Sequence, residues 1–257
     1  MARIKEWCKR TDSKINSHDL HYFEADATKL PKAVANVSAI VPGHYAAAGR
    51  VARILKKLGK AEAAEYVATK LPAGAKSRSG DIGEILASSW VSEFTSYNNS
   101  VLKLRWADHR EMAMRGDDIV AVCPDPHVGA RFLKGEVKSR ASLGKQTVAD
   151  ARGALLSSHG RPTPHALAFI SDRLFETGET DLSDLIDEYS LKKRIKIEQL
   201  SHLMFMFTGN NPCALLTADL AAYAGKIPQH SIGLRVTTHQ DFIKRIFDKV
   251  IADGNKP

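Results

Sequence analysis

The sequence predicts an α/β fold, a mixed sheet flanked by helices, with a mostly helical N-terminal appendage. Two observations carry this. From residue 81 to 158 the pattern runs helix, short apolar strands, helix, the alternation of a compact α/β unit. From 31 to 72, apolar residues recur at near-helical spacing among lysines and alanines. Hydrophobic residues make up 44% of the 257, enough for a substantial core. The expected division is 1–75, the appendage, and 76–257, the unit that carries the chemistry.

Asp19 to Asp26 reads as a strand. Val51, Ile54, Leu55, Leu58, Ala61 and Tyr66 mark the helical region, punctuated by Pro42-Gly43 and Leu71-Pro72-Ala73-Gly74. Lys76 to Gly80 reads as a short basic loop. Asp81 to Phe94 reads as an amphipathic helix with Asp81 at or near its N-cap. A turn at Tyr97 to Ser100 leads to three expected strands: Val101 to Trp106, Asp118 to Val122 and Phe132 to Lys138. Pro124 to Gly129 connects the last two as a hairpin-like loop. Helices are expected over Lys145 to Ser158, Pro164 to Leu174, Leu182 to Tyr189 and His239 to Ile251. Ser201 to Phe207 and Ser231 to Val236 read as strands or buried segments.

The formal charge of +8 favours an anionic partner, nucleic acid being the commonest soluble one. No apolar run approaches the roughly 18 residues of a membrane helix, so no membrane association is expected. The start, Met1 to Trp7, has no apolar stretch behind its charges and predicts no secretory signal. Cys8, Cys123 and Cys213 are isolated, which argues against a disulfide framework or a zinc-cysteine site and fits a reducing cytoplasm. No His-Glu-x-x-His, Gly-x-Ser-x-Gly or P-loop motif is present, which disfavours zinc hydrolases, common serine hydrolases and ATPases. The scattered histidines read as surface or hydrogen-bonded core residues.

The chemistry concentrates between residues 84 and 138. Asp118 opens one apolar strand and Glu136-Val137-Lys138 ends the next. Residues i and i+2 of a strand share a face, about 7 Å apart. Glu136 and Lys138 therefore project together while Val137 points into the core. If the strands pair, Asp118 reaches the same spot. Two carboxylates there make a hard oxygen site suited to Mg²⁺ or Mn²⁺. Lys138 can orient a water or stabilise developing charge. Glu84 supplies a third carboxylate beside a core-facing stripe, a placement costly without a compensating cation. The bland alternative is an exposed Glu136–Lys138 pair at a strand end, with Asp117-Asp118 capping a turn.

Glu84, Asp118 and Glu136-Val137-Lys138 resemble the core of the PD-(D/E)XK nucleases, in the same order and on the same elements. That resemblance implies a restriction-endonuclease-like sheet over 76–257 and Mg²⁺-dependent DNA cleavage. Asp118, Glu136, Glu84 and the Val137 carbonyl would hold the metal, and Lys138 would assist the water. Asp117 stands where the motif has Pro, leaving either Asp117 or Asp118 as ligand; Asp118 is preferred because it directly precedes the apolar run. The stretches Ser79 to Leu86, Arg115-Gly116-Asp117-Asp118 and Gly135 to Ser139 are further similar to the nuclease subunits of the Hachiman antiphage defence system. This implies a superfamily-two helicase partner and a role in bacterial immunity through DNA degradation. The competing expectation is a non-catalytic nuclease-fold module that binds DNA or docks a helicase.

Lys134, Arg140, Lys145 and Arg152 flank the motif as candidate phosphate contacts, and Gln146 and Arg152 as groups touching the site from the following helix. The Lys76 to Arg78 segment is a candidate DNA or helicase contact. Lys192-Lys193-Arg194 reads as a charged helix end.

Overall fold

The structure is a computed structural model describing residues 1–107, 109–111 and 116–254. Arg115, part of the similarity above, lies outside the described residues. The chain opens with a helical turn α1 (Ile4–Trp7) and two strands, β1 (Cys8–Ile15) and β2 (His18–Ala25). Helices α2 (Leu30–Tyr45), α3 (Ala48–Leu58), α4 (Lys60–Lys70) and α5 (Ala75–Phe94) follow. Next come the hairpin β3 (Ile119–Asp125) and β4 (Gly129–Arg140), then α6 (Lys145–Leu156), α7 (Pro164–Thr177) and α8 (Thr180–Asp187). The chain closes with β5 (Leu200–Thr208), α9 (Cys213–Ala222), β6 (Gln229–Arg235) and α10 (His239–Gly254).

All six strands form one sheet in the order β1-β2-β6-β5-β4-β3. The inner pairings β2–β6, β6–β5 and β5–β4 are parallel, and the two end strands are antiparallel. β5 reads as a near-continuous apolar run from Leu203 to Phe207 because both its faces are covered. On one face Leu133, Val137, Phe205, Phe207 and Leu234 pack under α2, α5 and α10. On the other, Met204 and Met206 meet α6 and α9, and Val120, Val122 and Phe132 meet α7 and α8. This is a mixed sheet flanked by helices, as the sequence predicts. No helix among the described residues is long and apolar enough to cross a membrane.

Two local expectations are corrected. Val101 to Trp106 is not a strand: Asn98 alone bridges to Val122, and Lys103–Trp106 forms a 3₁₀ turn. Its alternating apolar and basic residues mimic a strand period, but Lys103 donates to the Asp117 carbonyl at 2.8 Å and Arg105 to the Gly43 carbonyl at 2.7 Å. Lys76 to Gly80 is not a loop but the first turns of α5, so Asp81 is interior to the helix and not a cap. The strand expected over Asp19 to Asp26 is present as β2, and β1, an unexpected strand, pairs with it as a hairpin on the sheet. The boundary expected at 75/76 falls just at α5, and the sheet draws strands from both sides of it.

Candidate active site

The hairpin and α5 assemble the predicted residues. Ile119 pairs with Gly135, which puts Asp118 beside Glu136 and Val137. The Val137 N–H donates to Asp118 Oδ2 at 2.8 Å, fixing that carboxylate at the sheet edge. Val137 itself is buried in the core under α5, and Glu136 and Lys138 project together from the other side of the strand. Lys138 Nζ lies 2.5 Å from Glu136 Oε1.

Glu84 arrives on α5, which comes unusually close to β4 because Gly83 lacks a side chain. A Cβ there would stand 3.2 Å from both Val137 Cγ1 and Ser139 Cβ. The approach is locked by a buried polar chain: Ser79 Oγ lies 2.8 Å from Ser139 Oγ, which lies 3.0 Å from His239 Nε2. Helices α5 and α10 are thereby pinned to the strand that ends in Glu-x-Lys.

The two adjacent aspartates have different surroundings. Asp117 faces a buried lysine: Lys134 Nζ is 3.3 Å from its Oδ1, with side-chain exposures of 2% and 6%. Its other oxygen accepts from the Thr163 N–H at 2.7 Å. Lys134 also donates to the carbonyls of Ser157 and Arg161. Asp117 is thus occupied in a structural ion pair, and Asp118 is the one turned to the other acids.

All three carboxylates hold protons more tightly than usual. Burial is the largest cause for Glu84, followed by the charge of Asp118, and together they push it up to about 8. Burial also raises Asp118, against the Val137 N–H and the charges of Lys103 and Lys138. Glu136 is raised by burial and by Asp118, against its bond to Lys138. The acids therefore repel one another in a poorly hydrated place, which is where a divalent cation is most strongly attracted. Among the described residues the three do not bring one oxygen each within 4.8 Å of the others.

A cavity of about 410 Å³ opens beside Glu84 and Asp118. Its walls include His44, Lys103, His165 and Phe169, but not Glu136 or Lys138. Lys103 was not legible as a site residue, because its segment reads as a strand; its signal is a lysine among Leu102 and Leu104 just after a turn. His44 is kept neutral, pushed down to about 3 by burial and then by Arg105. In a separate cavity, which shares Leu104 as a wall, the Tyr45 hydroxyl donates to Asp81 Oδ2 at 2.5 Å, and burial raises Asp81 to about 6.

Several lesser candidates are corrected. Lys134 is buried in its ion pair and cannot reach a phosphate. Arg152 is paired with Asp219 at 2.5 Å, bonds Gln229 and stacks over Tyr223, so it serves the packing of α6 on α9. Gln146 bonds Asp150 on its own helix. Arg140 is exposed at the end of β4 and Lys145 at the start of α6, both open to solvent. Arg78 donates to the Pro72 carbonyl and lies over the Phe247 ring, so of the basic segment Lys76 is the residue left exposed.

Comparison with known proteins agrees over nearly the whole length. The family model described as HamA matches residues 1–250. The Hachiman protein HamA of Bacillus cereus is 26% identical over 249 residues, covering 95% of this chain and 89% of its own length. With both matches spanning the sheet, the acidic cluster and the helices that carry it, the chain belongs to the HamA family.

Proposed function

We propose that this chain is a metal-dependent DNA nuclease of the PD-(D/E)XK type, acting in Hachiman antiphage defence under the control of a helicase partner. The observation that carries the reading is that Glu84 and Asp118 line one cavity while the strand pairing sets Asp118 beside the Glu136–Lys138 pair. Family membership supports the defence role, and the chain's surplus of 8 positive charges suits a DNA substrate. The proposed donor set, three carboxylates and the Val137 carbonyl, is all oxygen and fits Mg²⁺ or Mn²⁺ better than a softer ion. When bound, such an ion activates water and neutralises charge on a phosphodiester. Asp118 is pre-aimed by the Val137 N–H. Glu84 contributes charge from α5. Lys138, which holds Glu136 in the structure, would be placed to orient an attacking water or to stabilise charge developing on the phosphodiester. The helicase would supply the ATP-driven step and hold the nuclease in check until foreign DNA is engaged.

A second reading, a non-catalytic module that grips DNA or docks the helicase, is favoured by one observation: Lys138 is spent on an ion pair with Glu136. The test is to incubate the chain, alone and with its helicase, with plasmid and linear DNA, with and without Mg²⁺. Cleavage that needs Mg²⁺ and disappears in Glu136→Ala/Lys138→Ala, with folding and partner binding kept, supports the nuclease. Absence of cleavage in every pairing, or cleavage indifferent to the mutations, supports the binding module.

A further inference from the structure

A second cluster of ligating side chains lies elsewhere on the sheet. β2 and β6 run parallel with Asp19 opposite His230. Asp19 and His21, two apart on β2, share a face, and the register brings His230 beside them. One ligand atom from each of Asp19, His21 and His230 falls within 4.8 Å of the others, the only such set among the described residues. All three are half-buried.

We propose that Asp19, His21 and His230 form a binding site for a borderline transition-metal ion, Zn²⁺ by preference, that clasps β2 to β6. Two imidazoles and one carboxylate are the donor chemistry of Zn²⁺ and its neighbours, not of Mg²⁺. The surrounding groups prepare the ligands. His21 Nδ1 lies 2.8 Å from Asp12 Oδ1 on β1 and 3.3 Å from an Arg10 guanidinium nitrogen; with its proton on Nδ1, donated to the nearer Asp12, Nε2 is the lone-pair atom. His230 Nδ1 is buried with no hydrogen-bond partner, and its nearest acid is Asp19 Oδ2 at 3.5 Å. That is too long for a good hydrogen bond and leaves the nitrogen's needs unmet. The two imidazoles stack at 6.0 Å, and the Trp90 ring lies 6.0 Å from each, which orients both and excludes water from one side. Arg10 and Lys14 balance Asp12 and Asp19. Lys14, 3.5 Å from Asp19 and largely exposed, is free to swing away when a cation arrives.

The site is separate from the acidic cluster, since β5 stands between β6 and β4. Its ligands join the N-terminal hairpin to the last strand of the chain, so the ion acts as a staple of the fold. The proposal does not depend on the nuclease reading.

The test uses full-length, tag-free protein stripped with chelator and dialysed. Zn²⁺ is titrated by calorimetry, and Co²⁺ is titrated as a spectroscopic stand-in. The expected result is one equivalent of Zn²⁺ bound, a rise in melting temperature, and a visible Co²⁺ absorption of imidazole-ligated character. His21→Ala with His230→Ala should abolish all three, whereas Glu136→Ala should leave all three intact. Asp12→Asn, which keeps the ligands, should weaken Zn²⁺ binding about 10–100-fold. Wild-type protein that binds no stoichiometric Zn²⁺ overturns the proposal. So does a bound ion that survives the double variant, or one lost in Glu136→Ala. Should the double variant misfold, the wild-type Co²⁺ spectrum and the Asp12→Asn affinity decide the matter.

Discussion

At the scale of single residues, Asp117 and Asp118 are neighbours with opposite duties, and substitution should separate them. Asp117→Asn leaves Lys134 buried without its counter-charge and is expected to cost about 3–5 kcal/mol of stability, read by chemical denaturation. Asp118→Asn removes a repelling charge and should leave stability unchanged or raised, while abolishing Mg²⁺-dependent cleavage. Equal destabilisation by both would refute this division. Glu84 makes the molecule sensitive to pH. Its carboxyl is raised from 4.5 to about 8 in the folded state, so folding favours its protonated form. Its contribution to stability is complete below about 4.5 and is lost as pH rises towards 8. Metal-free protein should therefore melt at progressively lower temperature across that window. Glu84→Gln should flatten the slope and be the more stable form at pH 8. A slope that persists unchanged in Glu84→Gln would show that other groups set it. The distinction between the aspartates was visible in the sequence only as a preference. Lys134 comes from the partner strand and Thr163 from a distant loop, and neither pairing leaves a trace in local spacing.

At the scale of elements, the site depends on how closely a helix and two strands approach. Gly83 brings α5 against Val137 and Ser139, and Gly135 allows Ile119 to settle on β4, where an added Cβ would stand 2.8 Å from the Ile119 Cβ. Gly83→Val is expected to cost about 1–3 kcal/mol and to lower cleavage together with stability, measured side by side by denaturation and plasmid nicking. A variant of full stability and full activity would show that α5 can shift without consequence. The elements that carry the chemistry were the most legible part of the sequence. Asp118 to Val122, Phe132 to Lys138 and the helix bearing Glu84 all have strong, short-range periodicity and sit at the predicted places. What misled was local pattern without partner. Val101 to Trp106 alternates like a strand, but its basic residues bond backbone carbonyls far along the chain. Lys76 to Gly80 looks like a loop because Ser and Gly are weak helix formers, yet Ser79 is held by Ser139 and the helix begins before it.

At the scale of the whole molecule, the sheet order could not be read from the sequence, since it depends on which distant strands pair. The N-terminal hairpin is the clearest case. Phe23 and Leu20 are buried, and β2 lies in ladder contact with β6. A fragment starting at residue 76 would expose the edge of β6 together with the apolar face beneath α2. Such a fragment is expected to aggregate or to lack a cooperative unfolding transition, whereas the full chain shows one; a fragment that melts cooperatively would mark 76–257 as an independent unit. The hydrogen bond and ion pair between Arg235 and Glu24 bridge a sequence separation of 211 residues. During synthesis β2 leaves the ribosome well before its neighbour β6, so the growing polypeptide carries an unmatched hairpin while the intervening residues are made. Stalled nascent chains ending before residue 229 should accordingly be cut by protease within residues 8–25, and released full-length chains should resist. A cell making this protein would complete the sheet, and with it the scaffold of the acidic cluster, only once β6 has been made.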